Sequence, residues 1–200
     1  MFSSLSQARQ EELERLAHDY GQPLVRTVDL DVDYLFDPLS RRDDRLGEVC
    51  MVVRRPNGHL LMMKKTFYPR DGYRLMTGGI HHEEPILDAL LRETHEETGL
   101  EVTIKRFLAA VAYRVLAKSD RPIFYTFAFL LEEIDGTLGS LDEDERVEAF
   151  REIEPGELKM VAATLDSIPS QNDPEIEGNW SDWGKFRAII HRLVGEALEA

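Results

Sequence analysis

The spacing of apolar and polar residues divides this chain into short strands with a few helices. Helical spacing predicts an amphipathic helix over residues 4–20, capped by Ser4 or Ser6, and a last helix over about 181–198. A proline-asparagine-glycine turn at 56–58 predicts a hairpin. Apolar runs, several of them alternating with polar residues, predict strands over 24–32, 47–55, 59–65, 73–76, about 101–117, 123–131 and 146–153.

The centre of the chain, residues 78–100, has a different pattern. It reads as a glycine-rich turn, then Pro85, which can open a helix, then about four helical turns that end at Gly99. A further helix is predicted from 155 to about 166, and polar loops over 37–45, 66–72, 132–145 and 167–178. Strands, one helix, more strands and then helices predict an α+β fold, an αβα sandwich with a mixed sheet.

Composition narrows the partners. The 200 residues suit one domain with additions, and the net charge of −14 argues against a nucleic-acid polymer while allowing a small phosphorylated ligand held by a cation. Cys50 is the only cysteine, which excludes an intrachain disulfide and suits a reducing cytosol. We find no signal-peptide pattern and no membrane span, so we expect a cytoplasmic protein without a membrane partner.

Three glutamates near the end of the central helix suggest chemistry. Glu93, Glu96 and Glu97 follow the spacing i, i+3, i+4, which puts them on one helical face where they repel one another. Either a hard divalent cation or the adjacent Arg92 could balance them. Mg²⁺ or Mn²⁺ there would support phosphoryl chemistry, whereas periodicity alone also fits a solvated acidic face.

Residues 78–100 resemble the Nudix box of the Nudix hydrolase superfamily. The matching positions are Gly78, Glu84, Arg92, Glu93, Glu96, Glu97, Gly99 and Leu100. Two positions depart: Thr94 stands where an aliphatic residue is usual, and Glu83 where glycine is common. The resemblance implies the Nudix αβα sandwich but does not explain the two ends of the chain, roughly 1–45 and 168–200. We assign 46–200, including the C-terminal helix, to the Nudix hydrolase domain, and 1–45 to an N-terminal extension, a helix and a strand, that packs on or swaps with the core.

The resemblance also implies an activity, the metal-dependent hydrolysis of a pyrophosphate bond in a nucleoside diphosphate derivative by a metal-activated water. Glu93, Glu96 and Glu97 would bind the metal and one could act as base, with the main-chain carbonyl of Thr77 as a further ligand. Arg92 would orient Glu93. The box positions Gly78, Glu84 and Gly99 would be structural, Glu84 bracing the loop–helix–loop or supporting the metal indirectly.

Other charged residues are candidates with alternatives. Some family members take a further carboxylate from a later loop, for which we choose Glu143 within the acidic stretch 142–145, and next the pair at 132–133. Arg74, Arg70 and the lysines at 64 and 65 precede the box and could bind phosphate, although an ordinary ion pair is the alternative for Arg74. A zinc site is not expected, because the adjacent His81 and His82 would point apart; His95 is the third histidine near the box.

Two other functions on the same fold remain as alternatives. A non-catalytic nucleotide-binding or regulatory module could have lost the glutamates, which are intact here. An isopentenyl-diphosphate-type isomerase would need a catalytic cysteine, and Cys50 lies in an apolar run. The substrate stays open among nucleotide sugars, ADP-ribose-like compounds, dinucleotides and nucleoside triphosphates, because residues 115–118 lack the proline typical of ADP-ribose enzymes and Tyr113 is early for a dinucleotide enzyme. Trp180 and Trp183 are better explained as core than as a base-stacking surface, and a homodimer would be common for the family.

Overall fold

A mixed β-sheet lies between two layers of helices in the computed structural model, which describes residues 2–32, 35–41, 45–115 and 121–200. The helices are α1 (Gln7–Tyr20), α2 (Ile86–Thr98), α3 (Leu158–Asp166) and α4 (Trp180–Glu199). The strands are β1 (Leu24–Leu30), β2 (Arg45–Arg54), β3 (Leu60–Lys65), β4 (Met76–His81), β5 (Leu100–Val115), β6 (Phe124–Gly136), β7 (Val147–Ile153), β8 (Asn172–Asp173) and β9 (Gly178–Asn179). The predicted α+β class and αβα sandwich are confirmed.

The main sheet has the strand order β1-β5-β6-β2-β3-β7, and β4 pairs with β2 beside β3. The pairs β1/β5 and β2/β6 are parallel, while β5/β6, β2/β4, β2/β3 and β3/β7 are antiparallel. Strand β3 pairs with the end of β2, at Arg54, and β4 pairs with the earlier part of β2, from Arg45 to Met51. The sheet therefore divides between β3 and β4. Lys65 at the end of β3 and Gly78 and Gly79 of β4 line the same cavity.

Each sheet face has its own hydrophobic core. On one side α3 and α4 bury Leu165, Trp183 and Phe186 against the alternate residues of the strands, such as Cys50. On the other side α1 and α2 pack their apolar stripes on the residues between, such as Met51. Period-two alternation within one strand therefore supplies both cores.

Several predicted boundaries differ from the structure. The glycine-rich segment at the start of the box is strand β4, because it pairs with β2 from Met76 to His81. The predicted acidic loop over 132–145 starts later, because β6 continues to Gly136 opposite Leu100 of β5. The loop predicted over 167–178 contains β8 and the start of β9, two strands of two residues each that pair as a hairpin.

The N-terminal segment is part of the same layered structure. Ser6 caps α1, as predicted, by accepting a hydrogen bond from the Arg9 N–H, and Leu13 and Leu16 of α1 are buried in the core that it shares with α2. Strand β1 adds to the sheet edge in parallel with β5, from Leu24 beside Ala109 onward. The predicted domain boundary near residue 45 stays a prediction.

Two predictions fall partly outside the described residues. Positions 42–44 of the predicted loop 37–45 lie outside them, as do 116–118 of the segment compared with ADP-ribose enzymes. Within the described ranges, none of the helices combines the length and the apolar character needed to span a bilayer.

Candidate active site

Helix α2 carries the site, and its buried stripe turns from apolar to acidic along its length. Ile86, Ala89 and Leu90 are fully buried at the beginning of the stripe, and Glu93 and Glu97 continue it. The helix ends at Gly99, whose φ of +66° is left-handed and whose missing Cβ would lie 2.8 Å from the Thr137 carbonyl oxygen. The end of the helix is therefore fixed by the backbone.

Gly78 gives Glu93 its place. A Cβ at residue 78 would lie 2.2 Å from two carbons of the Glu93 side chain and 2.3 Å from its Oε2. Real Cβ atoms do not approach other atoms so closely, so any larger residue at position 78 would displace the Glu93 carboxylate from this place. The role of Gly78 is thus to leave room for the Glu93 side chain, and not to form a turn.

Glu93, Glu97 and Glu145 form a cluster of carboxylates, called here the glutamate cluster, whose ligand oxygens all lie within 4.8 Å of one another. Glu97 has no solvent exposure, and neither of its side-chain oxygens accepts a hydrogen bond. The Lys65 ammonium is 3.5 Å from Glu97 Oε1, which is an ion pair but too long for a good hydrogen bond. Burial raises the pKa of Glu97 to about 8, against the attraction of Lys65.

Arg92 connects the carboxylates around the cluster. Its guanidinium donates to both oxygens of Glu84, at 2.8 and 3.0 Å, to Glu93 at 2.8 Å and to Glu96 at 3.1 Å, and also to the Gly79 carbonyl. The hydrogen bond to Glu84 is the main reason that the pKa of Arg92 is raised. Burial raises the pKa of Glu93 in spite of Arg92, whereas the hydrogen bond from Arg92 overcomes the smaller burial of Glu84 and lowers its pKa. Glu96 lines the cavity at the rim but is not in the glutamate cluster.

The later loop contributes Glu145 rather than the predicted Glu143. Both belong to the short 3₁₀ turn Glu143–Glu145 after Asp142, but Glu143 is exposed and does not line the cavity over the cluster. Glu145 is two residues further on, which points it inward, and it accepts a hydrogen bond of 2.5 Å from Lys65. Burial alone would raise the pKa of Glu145, but the Lys65 charge lowers it. The glutamates at 132 and 133 pair with arginines of the β2 end instead.

The three other predicted site residues are Thr77, Arg74 and Arg70, and only some of them face the cavity. Thr77 lines the cavity, and its hydroxyl accepts a hydrogen bond from Arg74. The Arg74 guanidinium is buried and also donates to the Tyr68 hydroxyl and the Leu75 carbonyl, so protein groups rather than substrate occupy its donors. Arg70 is exposed and is not among the residues around this cavity. The structure therefore does not favour either arginine as a phosphate ligand.

A second group of buried charges, missed in the sequence, lies on the other side of Thr77. Glu48 of β2 accepts hydrogen bonds at 2.8 Å on both oxygens from Arg187 of α4, which also donates to the Thr77 hydroxyl at 3.1 Å. His191 donates from Nδ1 to the Arg187 carbonyl and accepts the Leu75 N–H on Nε2. We call these residues, with Arg74, the paired cluster. Glu48 and Arg187 are 139 positions apart in the sequence, so no local pattern could have predicted that they pair.

The two departures from the box have local explanations. Thr94 is fully buried, and its hydroxyl donates to the Leu90 carbonyl at 2.6 Å, so it fits an apolar site without an unpaired polar group. Glu83 has a φ of +65°, the left-handed region that favours glycine. Glycine at that position would relieve the strain.

An open cavity of about 800 Å³ lies over the glutamate cluster, and a smaller recess of about 90 Å³ continues inward toward Arg187 and Trp183. Cationic side chains face the acidic ones across this space, at positions 45, 65, 92 and 146. Phe67 is at its edge, with the Arg146 guanidinium 4.6 Å from its ring centre. The cavity is of the size that encloses small-molecule ligands.

Comparison with known proteins identifies the family. The family model of the NUDIX domain matches residues 44–177, more than half of the chain. The chain belongs to the NUDIX family. This confirms the resemblance seen in the box, and the protein is a Nudix hydrolase, of the general class of pyrophosphohydrolases.

The solved structures that this chain resembles are distant in sequence. A NUDIX hydrolase from Nitrosomonas europaea is 16% identical, with a TM-score of 0.47, over 76% of this chain and 91% of that chain. An ADP-ribose pyrophosphatase from Streptococcus suis is 18% identical, with a TM-score of 0.45 and the same two coverages. MutT from Aliivibrio salmonicida and Vibrio cholerae is 13% identical, with a TM-score of 0.44, over 76% and 98%. No curated protein matches the sequence.

The isomerase alternative finds no support in the site. Cys50 is fully buried in the core on the α4 side, burial raises the pKa of its thiol, and it does not line the cavity. Among the described residues, the potential metal-binding group consists of carboxylates without a histidine.

Proposed function

We propose that this Nudix hydrolase cleaves a pyrophosphate bond in a nucleoside diphosphate derivative and depends on Mg²⁺ or Mn²⁺. The observation that carries the proposal is Glu97, a fully buried carboxylate with two oxygens that accept no hydrogen bond, beside Glu93 and Glu145. A buried carboxylate that accepts no hydrogen bond, with the Lys65 ammonium no nearer than 3.5 Å and two other carboxylates close by, costs several kcal/mol, roughly, to keep ionised unless a further cation balances it. Oxygen donors at this spacing are what a hard divalent cation binds.

The donor set fits such a cation. Glu93, Glu97 and Glu145 would hold it, Glu96 would serve as a ligand at the rim, and the Thr77 carbonyl remains the predicted main-chain donor. A bound Mg²⁺ or Mn²⁺ would neutralise charge on the phosphates and acidify the attacking water. The carboxylates must be ionised to bind it, so metal binding at neutral pH would release the proton of Glu97.

The side chains around the cation would orient the reaction. Arg92 fixes the rotamers of Glu93 and Glu96 by direct hydrogen bonds, which holds their oxygens in register. Lys65 keeps Glu145 ionised and close to the cluster. We infer that a carboxylate accepts a proton from the attacking water. The water oxygen then bonds to one phosphorus, and the bridging oxygen leaves with the other phosphate group. Glu145 is our candidate for that carboxylate, in place of Glu143.

The cavity supports a phosphorylated, nucleotide-sized substrate. Its volume of about 800 Å³ and its facing cations suit a pyrophosphate with attached groups, and Phe67 offers an aromatic edge for one of them. A substrate panel would identify the group that is attached to the pyrophosphate. The cytoplasmic location and the homodimer stay predictions.

The test is a hydrolysis screen over nucleotide sugars, ADP-ribose, dinucleoside polyphosphates and nucleoside triphosphates, with Mg²⁺, Mn²⁺ or EDTA. We expect phosphate-containing products with at least one substrate and none with EDTA. The E97Q variant should lose turnover while it keeps the native circular dichroism spectrum.

Direct binding measurements separate the alternative. A non-catalytic nucleotide-binding module would bind a member of the panel in calorimetry and release no product with either metal. Turnover that persists in EDTA, or at wild-type rate in E97Q, would contradict the assignment of Glu97 to the metal.

A further inference from the structure

The first turn of α2 receives its cap from another helix. Pro85 at the N-cap position has no side chain that can accept a hydrogen bond, so α2 lacks a cap of its own. The Ile86 N–H instead donates to Oε1 of Glu12, in α1, at 2.6 Å. A carboxylate at this place satisfies a free N–H group and is favoured by the helix dipole.

Arg9, one turn earlier on α1, holds the residue before the proline. Its Nη1 and Nη2 both donate to the Glu84 carbonyl at 3.0 Å, and Nη1 also pairs with Glu12 at 2.5 Å. Both side chains of this pair are mostly buried. Arg9 and Glu12 therefore form one unit that clamps the backbone at residues 84–86.

Helix α1 is a firm support for this clamp. Leu13 and Leu16 are buried in the core on which α2 also packs, and the segment before α1 is tied to the sheet by a 2.7 Å hydrogen bond between Ser4 and the Tyr125 hydroxyl. The clamp thus connects two helices that share a core.

The clamped residue is also the main partner of Arg92. The Glu84 carboxylate accepts two hydrogen bonds from Arg92 and one from the His81 N–H, and Arg92 in turn holds Glu93 and Glu96. A shift of the Glu84 backbone would therefore move its carboxylate, and the guanidinium with it. The contacts form a continuous path from α1 to the carboxylates.

We propose that Arg9 and Glu12 are positioning residues that set the geometry of the metal-binding carboxylates from outside the Nudix domain match. Both precede residue 44, where that match begins. The proposal rests on the metal site of the proposed function. It gives the N-terminal helix a defined role, because without its clamp the carboxylates keep their chemistry but lose their alignment.

The test measures Mn²⁺ affinity of the full chain without substrate, by electron paramagnetic resonance. We expect E12A to weaken Mn²⁺ binding about 3- to 10-fold, below the roughly 10- to 100-fold typical of direct partners of metal ligands. E12Q keeps an acceptor oxygen and should recover most of the affinity. The matched control is E11Q: Glu11 is on the same helix, exposed, and bonded to Gln7 rather than to the box.

A double-mutant cycle distinguishes positioning from general loosening. If Glu12 acts through residue 84, E12A combined with E84Q should cost less Mn²⁺ affinity than the sum of the two single changes. Additive losses, or E12A affinity within twofold of wild type, would overturn the proposal. R9K serves as a second variant if E12A does not fold, with the same expected weakening of Mn²⁺ binding and the same overturning result. A wild-type chain that binds no Mn²⁺ would overturn the proposed function, and this inference with it.

Discussion

The two buried charge clusters on either side of Thr77 follow opposite rules. In the paired cluster, Glu48 faces Arg187 and each of its oxygens accepts a hydrogen bond. In the glutamate cluster, like charges converge, and Glu97 is as deeply buried as His191 yet accepts no hydrogen bond. A carboxylate with both oxygens hydrogen-bonded, as at Glu48, is typical of a group that serves the fold, although Nε of its partner Arg187 is buried without a hydrogen bond. A buried carboxylate that accepts no hydrogen bond and has only a 3.5 Å ion pair to Lys65, as at Glu97, is typical of a group that serves a ligand.

The largest effect should come from removing the charge of Glu97. E97Q should lower turnover on the order of a thousandfold, because a metal ligand is lost. The same change should raise the metal-free stability at pH 8 by roughly 1–2 kcal/mol, since the gain from removing the charge exceeds the cost of burying an amide. The pKa of Glu97 is about 8 in the folded state against 4.5 when unfolded, so wild-type stability falls as pH rises between these values, and glutamine has no such loss. Turnover and urea unfolding in EDTA measure the two effects.

If Glu97 serves a ligand rather than the fold, E97Q should lower turnover and raise stability at the same time. Glu101 offers a control on exposed surface, where E101Q should change neither quantity appreciably. An E97Q protein that is both inactive and less stable would mean that the carboxylate stabilises the fold, as Glu48 does.

The paired cluster should show the reverse pattern. E48Q leaves the Arg187 charge without its counter-ion in a buried site, which should destabilise the protein by about 3 kcal/mol. Replacing both partners, as in E48M with R187L, should restore most of that loss because no charge is then buried. Urea unfolding of the three variants checks this. Equal destabilisation in the single and double variants would show that packing, rather than charge, dominates there.

Glu145 and Glu143 form a matched pair in one loop. E145Q should reduce kcat about 100-fold if Glu145 accepts the proton of the water, while E143Q should stay within about twofold of wild type. Both changes remove one negative charge from the same 3₁₀ turn, so a general electrostatic effect would affect them alike. Steady-state kinetics with the best substrate of the panel gives the answer.

Acid should affect the paired cluster through His191. Burial lowers its pKa to about 3, against an ordinary value of 6.5, so the unfolded chain binds a proton there that the folded chain does not. Stability should therefore be fully present above about pH 6.5 and fall toward pH 3, by roughly 2 kcal/mol at pH 5 from this group alone. The difference in urea unfolding between wild type and H191Q across pH isolates this contribution. A difference that does not vary with pH would contradict it.

The smallest effect concerns the turn before α2, which touches neither cluster. E83G should raise the free energy of unfolding by about 0.5–1 kcal/mol, because φ of +65° costs glycine little. Thermal unfolding can detect this change. Unaltered Mn²⁺ affinity in E83G would show that the strained conformation of this turn does not align the carboxylates.

The sequence was most informative where the chemistry is local. Helical spacing put Glu93, Glu96 and Glu97 on one face, and the resemblance of the box predicted Arg92 as the partner of Glu93. Apolar periodicity likewise predicted the helices, most of the strands and the layered fold. These features depend on neighbours within about one or two helical turns, so the pattern contains them.

What the sequence could not supply depends on distant contacts or on exact turn geometry. Choosing Glu145 over Glu143 required the direction of a 3₁₀ turn, which composition does not encode. Arg187 finds Glu48, and Glu12 finds Ile86, only after the layers have assembled. Strand β4 was missed because its two glycines resemble a turn in the pattern, whereas in the structure they make room for side chains of the site.

The parallel pairing of β1 with β5 has a consequence for the order of assembly. The ribosome makes α1 and β1 before β5, and the partner of Leu24 is Ala109, some 85 residues later. Pairing across such a distance forms slowly, because the closure of a long loop comes before its contacts. Helix α1 and strand β1 are thus synthesised well before β1 can pair, and the clamp on the central helix closes only when synthesis has passed that helix.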